Sequence, residues 1–378
     1  MQKYNPSSIQ PPANNSSYYA VIMAGGIGSR FWPVSTPGSP KQFHDMTGTG
    51  KSLLRHTFDR LTALIPASHI LISTNEKYAG KIAGELPGFS PEHLIAEPVM
   101  RNTAPAILYA MLKIQKLDPE ATVVIAPSDH WIEDEAAFVR QLETAFRESA
   151  HHDILMTLGI VPDSPNTGYG YIHYGNGENR VKKVLEFTEK PDKKTAIRFI
   201  EQGEYLWNAG IFIWNVRSIL KAFQTHLPAM YRLFASAPEV WNTPAEKAFI
   251  EKYYPQAENI SIDYGIMEKA TNVRVLPLEH TGWNDLGTWG ALRKQLPKDD
   301  NGNAVLHAHT RLIDSENNII RTTEGKKVVI KGMRNYIIVE TDDVLMIIPE
   351  SDEQAIKEYA KSFDKQGLLK NPQTRKRE

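Results

Sequence analysis

The chain has 378 residues, 41% hydrophobic and 23% charged, a length and balance that support a large buried core and exclude a disordered or fibrous protein. It contains no cysteine, which rules out disulfide frameworks, thiolate zinc sites and cysteine nucleophiles. The formal net charge is -1, with no dense basic run beyond Arg375-Lys376-Arg377, so nucleic acid is not expected as a partner.

The first 17 residues are rich in Asn, Ser and Pro and lack the apolar stretch of a secretory signal, and no later run reaches membrane-spanning length. A loose N-terminal tail on a cytoplasmic protein with no membrane contact is expected. From Tyr18 onward, apolar runs at 19–23, 70–73, 93–96 and 122–126 read as strands buried on both faces, with helical periods at 53–64 and 104–116 between them. A helix at 135–150 leads to a run at 154–160. Gly168-Tyr169-Gly170-Tyr171 and residues 181–187 then read as hairpin material, where a mixed sheet begins. A helix at 193–202, a strand at 206–214 and helical residues from Val216 to about Tyr254 return to the first pattern. After Pro297 the texture changes. Asp299-Asp300-Asn301-Gly302-Asn303 is a turn-rich linker into short β runs near Val305, Ile319, Val328, Ile337 and Met346, spaced like stacked strands of a solenoid, and an amphipathic helix at 353–363 follows. The expected organisation is a tail at 1–17, an α/β domain at 18–298 with a Rossmann-like, mixed and mainly parallel sheet, and a small β domain with a terminal helix at 299–378. Truncation before Asp299 is expected to leave a folded, partly active first domain.

Ala24-Gly25-Gly26-Ile27-Gly28-Ser29-Arg30 follows the first strand, and Pro33, Pro40 and Lys41 come next. Glycines let a backbone approach phosphate oxygens, and Arg30 and Lys41 supply cations; ligands of open α/β sheets gather beyond the carboxyl ends of strands, where this loop lies. A dinucleotide fingerprint fits poorly, because Phe31 stands where a third glycine should allow helix packing. Gly48-Thr49-Gly50-Lys51-Ser52 ends like a P-loop, but Asp45 occupies its first glycine position. Asp129 follows the buried run Val123-Val124-Ile125-Ala126, and Asp285 lies beside Trp283 and Gly287; each reads as a metal ligand or as a cap or turn carboxylate. Glu97 is either a bidentate acceptor for paired ligand donors or a cap of the helix starting near Asn102. Lys190 is a phosphate partner or a solvated lysine, Asn208 a ligand contact or a core amide, and Trp283 and Trp289 read as packing residues.

The segments Ala24 to Pro33 and Pro40-Lys41-Gln42-Phe43 closely resemble the pyrophosphorylase motif of sugar nucleotidyltransferases, in particular the mannose-1-phosphate guanylyltransferases. Glu97-Pro98, Arg101-Asn102-Thr103-Ala104-Pro105-Ala106, Pro127-Ser128-Asp129-His130, Thr167 to Ile172, Phe187-Thr188-Glu189-Lys190-Pro191, Trp207-Asn208-Ala209-Gly210 and Gly282-Trp283-Asn284-Asp285-Leu286-Gly287 resemble further blocks of that family in its order, over about residues 18–296. Residues 299–349 resemble the short left-handed β-helix that follows its catalytic domain. The resemblance implies attack of mannose 1-phosphate on the α-phosphorus of GTP, giving GDP-mannose and pyrophosphate. It implies Arg30, Lys41, Asp129, Lys190 and Asp285 as catalytic residues, and Asp129 and Asp285 as ligands of Mg²⁺. Ala24, Gly25, Gly26, Gly28, Ser29, Arg30, Lys41, Glu97, Asn102 and Asp129 would contact the nucleotide. Gly170, Glu189, Lys190 and Asn208 would contact the sugar phosphate, and a homodimer is a possible assembly. The alternatives are transfer of another nucleotide or to another sugar 1-phosphate, and a silent regulatory subunit that only binds nucleotide sugars.

Overall fold

The computed structural model describes residues 15–175 and 180–365. Residues 1–14 of the expected tail and the basic run at 375–377 lie outside the described residues. The chain forms two compact units that do not follow chain order. The first comprises the residues up to Gly25, Arg55–Ser128 and Ile132–Trp283; the second comprises Gly26–Leu54, Asp129–Trp131 and the residues from Asn284 onward.

The first unit is built on nine strands: β1 (Tyr18–Met23), β2 (Ile70–Asn75), β3 (Leu94–Glu97), β4 (Thr122–Pro127), β5 (Leu155–Ile160), β6 (Tyr171–Tyr174), β7 (Lys182–Thr188), β8 (Tyr205–Asn215) and β9 (Val273–Pro277). They form one sheet in the order β3-β2-β1-β4-β8-β5-β9-β7-β6. The first four are parallel, with Ala20 opposite both Ile70 and Val124. Their continuous apolar sequence is explained by burial on both faces. β8 runs antiparallel to β4 and β5, and β6 and β7 pair antiparallel, which makes the sheet mixed as expected. β1 lies between β2 and β4, so the strand order reverses there and opens a crevice at the carboxyl ends. The helices are α1 (Leu53–Thr62), α2 (Ala79–Glu85), α3 (Thr103–Leu117), α4 (Glu135–His151), α5 (Lys193–Gln202), α6 (Val216–His226), α7 (Pro228–Phe234) and α8 (Ala245–Tyr253). α3 is buried almost all round, as its lack of a polar stripe requires. One expected strand shifts: His93 ends a 3₁₀ turn, and β3 runs one residue further, making Glu97 its last residue.

The second unit contains α9 (Trp289–Gln295), β10 (Ala304–Ile313), β11 (Ile319–Lys331), β12 (Tyr336–Glu340), β13 (Leu345–Pro349) and α10 (Ile356–Lys365). The strands form a four-stranded sheet in chain order, parallel from β10 to β12 and antiparallel at β13. The run near Val328 is not a separate strand, because β11 continues through it. Phe31, Trp32, Met46 and Leu53 pack in one core with Trp289, Leu306, Ile319, Val339 and Ile356, so the glycine-rich loop's flank is structurally part of this unit. Asn303 and Asn318 form a buried polar ladder beneath the strands. Asn318 donates through Nδ2 to Asn303 Oδ1 and to the Met333 carbonyl, both at 2.9 Å, and its Oδ1 accepts from the Tyr336 amide at 2.9 Å. Among the described residues, no helix is long and apolar enough to cross a membrane.

Candidate functional site

The glycine-rich loop turns at Gly28, whose φ of 70° lies in the left-handed region. A Cβ there would stand 2.5 Å from the Lys41 Cβ, so glycine is required both by backbone conformation and by the approach of Lys41. In the second unit Gly28, Ser29, Arg30, Lys41, Asp129 and Asp285 line a cavity of about 270 Å³. Lys41 is only 2% exposed. Its Nζ donates to Asp129 Oδ2 at 3.0 Å and to the backbone carbonyls of Asp285 at 3.0 Å and Leu286 at 2.8 Å. Three acceptors use all three ammonium hydrogens. Lys41 thus ties the two aspartate loops together, where sequence reading expected a cation presenting its hydrogens to phosphate. A second tie is a backbone bridge in which the Trp131 amide donates to the Asn284 carbonyl at 2.8 Å and the Asn284 amide to the Trp131 carbonyl at 3.0 Å. Two aspartates far apart in sequence are thereby brought to one cavity. Burial pushes the Asp129 carboxyl up, but the charges of Lys41 and His130 and the hydrogen bond from Lys41 outweigh it and hold the group below the usual carboxylate range. Asp285 Oδ1 accepts from the Gly287 amide at 3.0 Å, in a tight turn.

In the first unit, Ala24 is fixed to β2 by both backbone groups: its amide donates to the Ser73 carbonyl at 2.7 Å, and its carbonyl accepts from Thr74 Oγ1 at 2.9 Å. Glu97 is buried beside Gly25, where an added Cβ would lie 3.9 Å from Glu97 Oε1. Its carboxylate accepts from Ser73 Oγ at 2.9 Å and from the Tyr254 hydroxyl at 2.6 Å. Burial raises its pKa against the pull of these two hydrogen bonds. The capping alternative for Glu97 is corrected here, since α3 is capped by Asn102, whose Oδ1 accepts from the Thr103 amide at 3.1 Å. That is the one hydrogen bond Asn102's side chain makes among the described residues.

A separate group in the first unit gathers Gly170, Glu189, Lys190 and Asn208. A Cβ on Gly170 would collide with Glu189 and come within 3.3 Å of Asn208, so glycine is needed for their approach. Lys190 has a φ of 48° and donates through Nζ to Glu189 Oε1 at 2.5 Å. Burial lowers its pKa, but Glu189 and Asp263 together leave it raised. Asn208 Oδ1 accepts from Thr157 Oγ1 at 2.9 Å and from the Gly210 amide at 3.1 Å, and Nδ2 donates to Asp263 Oδ1 at 3.0 Å. Among the described residues, the other Nδ2 hydrogen makes no hydrogen bond. Sequence reading missed Asp263. It opens a π-helical turn, Asp263–Met267, of a kind that recurs at functional sites, and desolvation and the nearby Glu189 push its carboxyl up to about 6. Of the two expected packing residues, Trp289 is fully buried, whereas Trp283 is half-buried with its ring 5.8 Å from Tyr169.

The profile of the nucleotidyl transferase family matches residues 19–302. The xanthan biosynthesis protein XanB of Xanthomonas campestris pv. campestris is 34% identical over 93% of this chain and 74% of its own length. A mannose-1-phosphate guanylyltransferase of Salmonella muenchen is 36% identical over 92% of this chain and 73% of its own. A crystal structure from Thermus thermophilus, described as a mannose-1-phosphate geranyltransferase, superposes with a TM-score of 0.83 at 29% identity, covering 92% of this chain and 99% of that one. With the profile spanning most of the chain and relatives above 30% identity along it, the chain belongs to the nucleotidyl transferase family and is a nucleotidyltransferase.

Proposed function

We propose that this enzyme transfers a nucleotidyl group from a nucleoside triphosphate to a sugar 1-phosphate, with GTP and mannose 1-phosphate as substrates and GDP-mannose and pyrophosphate as products. The observation that carries the reading is the convergence of Asp129, Lys41 and Asp285 on the cavity that Gly28, Ser29 and Arg30 also line. A phosphate oxygen of the sugar 1-phosphate attacks the α-phosphorus; the new P–O bond forms as the bond to the β-phosphate oxygen breaks, and pyrophosphate leaves with its electron pair. Two anions must meet, so positioning and charge neutralisation supply the catalysis. Arg30 and the amides of Gly26, Gly28 and Ser29 are assigned to the phosphates, with Lys41 holding the two aspartate loops and adding its charge. Lys190 is assigned to the sugar phosphate, Glu189, Asn208 and the Gly170 backbone to the sugar, and Gly25 and Glu97 to the base.

Mg²⁺ fits the donor set. Among the described residues no three His, Cys, Asp or Glu side chains cluster as a metal cage. Mg²⁺, however, is commonly held by one or two carboxylates together with substrate phosphates and water, and Asp129 and Asp285 supply two carboxylates on one cavity. Bound there, Mg²⁺ would offset phosphate charge.

A second reading, another nucleotide, is favoured by one observation. The Glu97 carboxylate already accepts two protein hydroxyls, which leaves it fewer lone pairs for the paired donors of guanine. We also read β10 to β12 as coils of a short β-helix, left-handed by resemblance, because Ile319 is paired in parallel with Ala304 on one side and Ile337 on the other. Association of two chains through this region is part of the same proposal.

The test is pyrophosphate release with each nucleoside triphosphate against a panel of sugar 1-phosphates. The expected result is the highest kcat/KM for GTP with mannose 1-phosphate. A better pair overturns the substrates, and no release with any pair overturns the reaction.

A further inference from the structure

The cavity that holds Asp129 and Asp285 has a wall from much later in the chain: Lys357, on the first turn of α10, faces it together with Arg30. The placement is fixed by packing. Ile356 is fully buried in the core of the second unit, Phe363 stacks on Trp32 with ring centroids 5.5 Å apart, and Gln354, just before the helix, accepts from Arg30 Nε at 3.1 Å. Residues 356, 360 and 363 carry the apolar stripe, which leaves Lys357 at its margin beside the glycine-rich loop.

Among the described residues, neither Arg30 nor Lys357 pairs with a carboxylate. Lys357 instead feels Arg30 and Lys361, and burial followed by these like charges lowers its pKa. Lys41, the third cation, has spent its hydrogens on Asp129 and two carbonyls. Arg30 and Lys357 are both half-exposed on the cavity that Asp129 and Asp285 also line, so their hydrogens can be presented to an anion that enters it.

We propose that Lys357 binds the β- and γ-phosphates of the nucleotide and stabilises them as pyrophosphate leaves. The proposal rests on the nucleotidyl-transfer reading. A leaving pyrophosphate gains charge as the bond to the α-phosphorus breaks, and preorganised cations at that position act on the transition state. The sugar phosphate has its own assigned cation in Lys190, so Lys357 separates the two substrates kinetically. It also makes the terminal helix a contributor to phosphate binding.

The test uses the full chain with Lys357→Ala and Lys357→Arg. With Lys357→Ala, KM for the nucleotide in the forward reaction and for pyrophosphate in the reverse reaction should rise about tenfold or more, the scale of a lost charged hydrogen bond. KM for the sugar 1-phosphate should stay within about twofold, and Lys357→Arg should recover most of the loss. Unchanged nucleotide and pyrophosphate KM, or an equal rise for all three substrates, overturns the proposal while leaving the transfer reading intact. If the wild type releases no pyrophosphate from any substrate pair, the transfer reading fails, and calorimetric titration with inorganic pyrophosphate still decides the site. Weaker binding by Lys357→Ala than by wild type supports it, and equal binding overturns it.

Discussion

Asp263 shows how a single carboxyl can be set against stability. Its pKa is raised from 3.8 to about 6, so the folded state holds the proton more tightly than the unfolded chain does. Its contribution to stability is therefore complete below about pH 4 and is lost as pH rises through about 6, leaving a half-buried charge at neutral pH. Asp263→Asn keeps an acceptor for the Asn208 amide and removes that charge. It should raise unfolding stability at pH 8 by roughly 1–2 kcal/mol, less than the full shift implies because the group is half-buried, with the gain vanishing near pH 4. Urea melts at the two pH values check this; a loss of stability at pH 8 contradicts it. KM for the sugar 1-phosphate should rise in the same variant. Nothing in Ser261-Ile262-Asp263-Tyr264 marked this residue, because an aspartate after an aliphatic residue is ordinary turn chemistry. Gly28 and Arg30 were legible from the loop that follows the first strand, whereas Asp129 and Asp285 each read equally as cap or turn carboxylates and were paired only through the family resemblance. The saturation of Lys41 by two backbone carbonyls could not be read from side-chain types at all.

At the scale of elements, the parallel strands of the first unit were legible because burial on both faces writes itself as unbroken apolar runs. The strands of the second unit were blurred, since β11 is half exposed and its polar segment near Gly325 interrupts the pattern without ending the strand. What pins these strands is the asparagine ladder. Asn318→Ala would leave the Tyr336 amide without its acceptor, while Asn303 Oδ1 keeps the backbone amide of residue 318 and the Met333 carbonyl keeps the Glu316 amide, a cost of about 1–3 kcal/mol from one unpaired group. Urea denaturation followed by tryptophan fluorescence should show that loss; a change below about 0.5 kcal/mol would mean that water replaces the ladder. The role proposed for Lys357 was equally hidden, because a lysine beside the apolar stripe of an amphipathic helix looks like any solvated face.

For the whole molecule, the chief surprise is that the glycine-rich loop and the C-terminal strands share one compact unit. Phe31, Trp32 and Met46 pack against Leu306, Ile319 and Ile356, contacts between segments near opposite ends of the chain that no local pattern encodes. Truncation before Asp299 would therefore expose that core and remove α10. The expected outcome is loss of turnover with aggregation or a melt displaced to lower temperature, in contrast to the partly active fragment that sequence reading suggests. A soluble, active fragment in a size-exclusion and activity assay would contradict this. The claim that the cavity of Asp129, Lys41 and Asp285 is the reacting centre is tested most directly by pyrophosphate release from Asp285→Asn across a Mg²⁺ titration. This variant is the cleaner of the two aspartate changes, because the backbone carbonyl of Asp285 that holds Lys41 stays in place. Turnover lower by about 10²–10³, partly restored by raised Mg²⁺, with an unchanged melt, is the expected result. Near-normal turnover at ordinary Mg²⁺ would show Asp285 to be a turn residue and would place the reacting centre elsewhere.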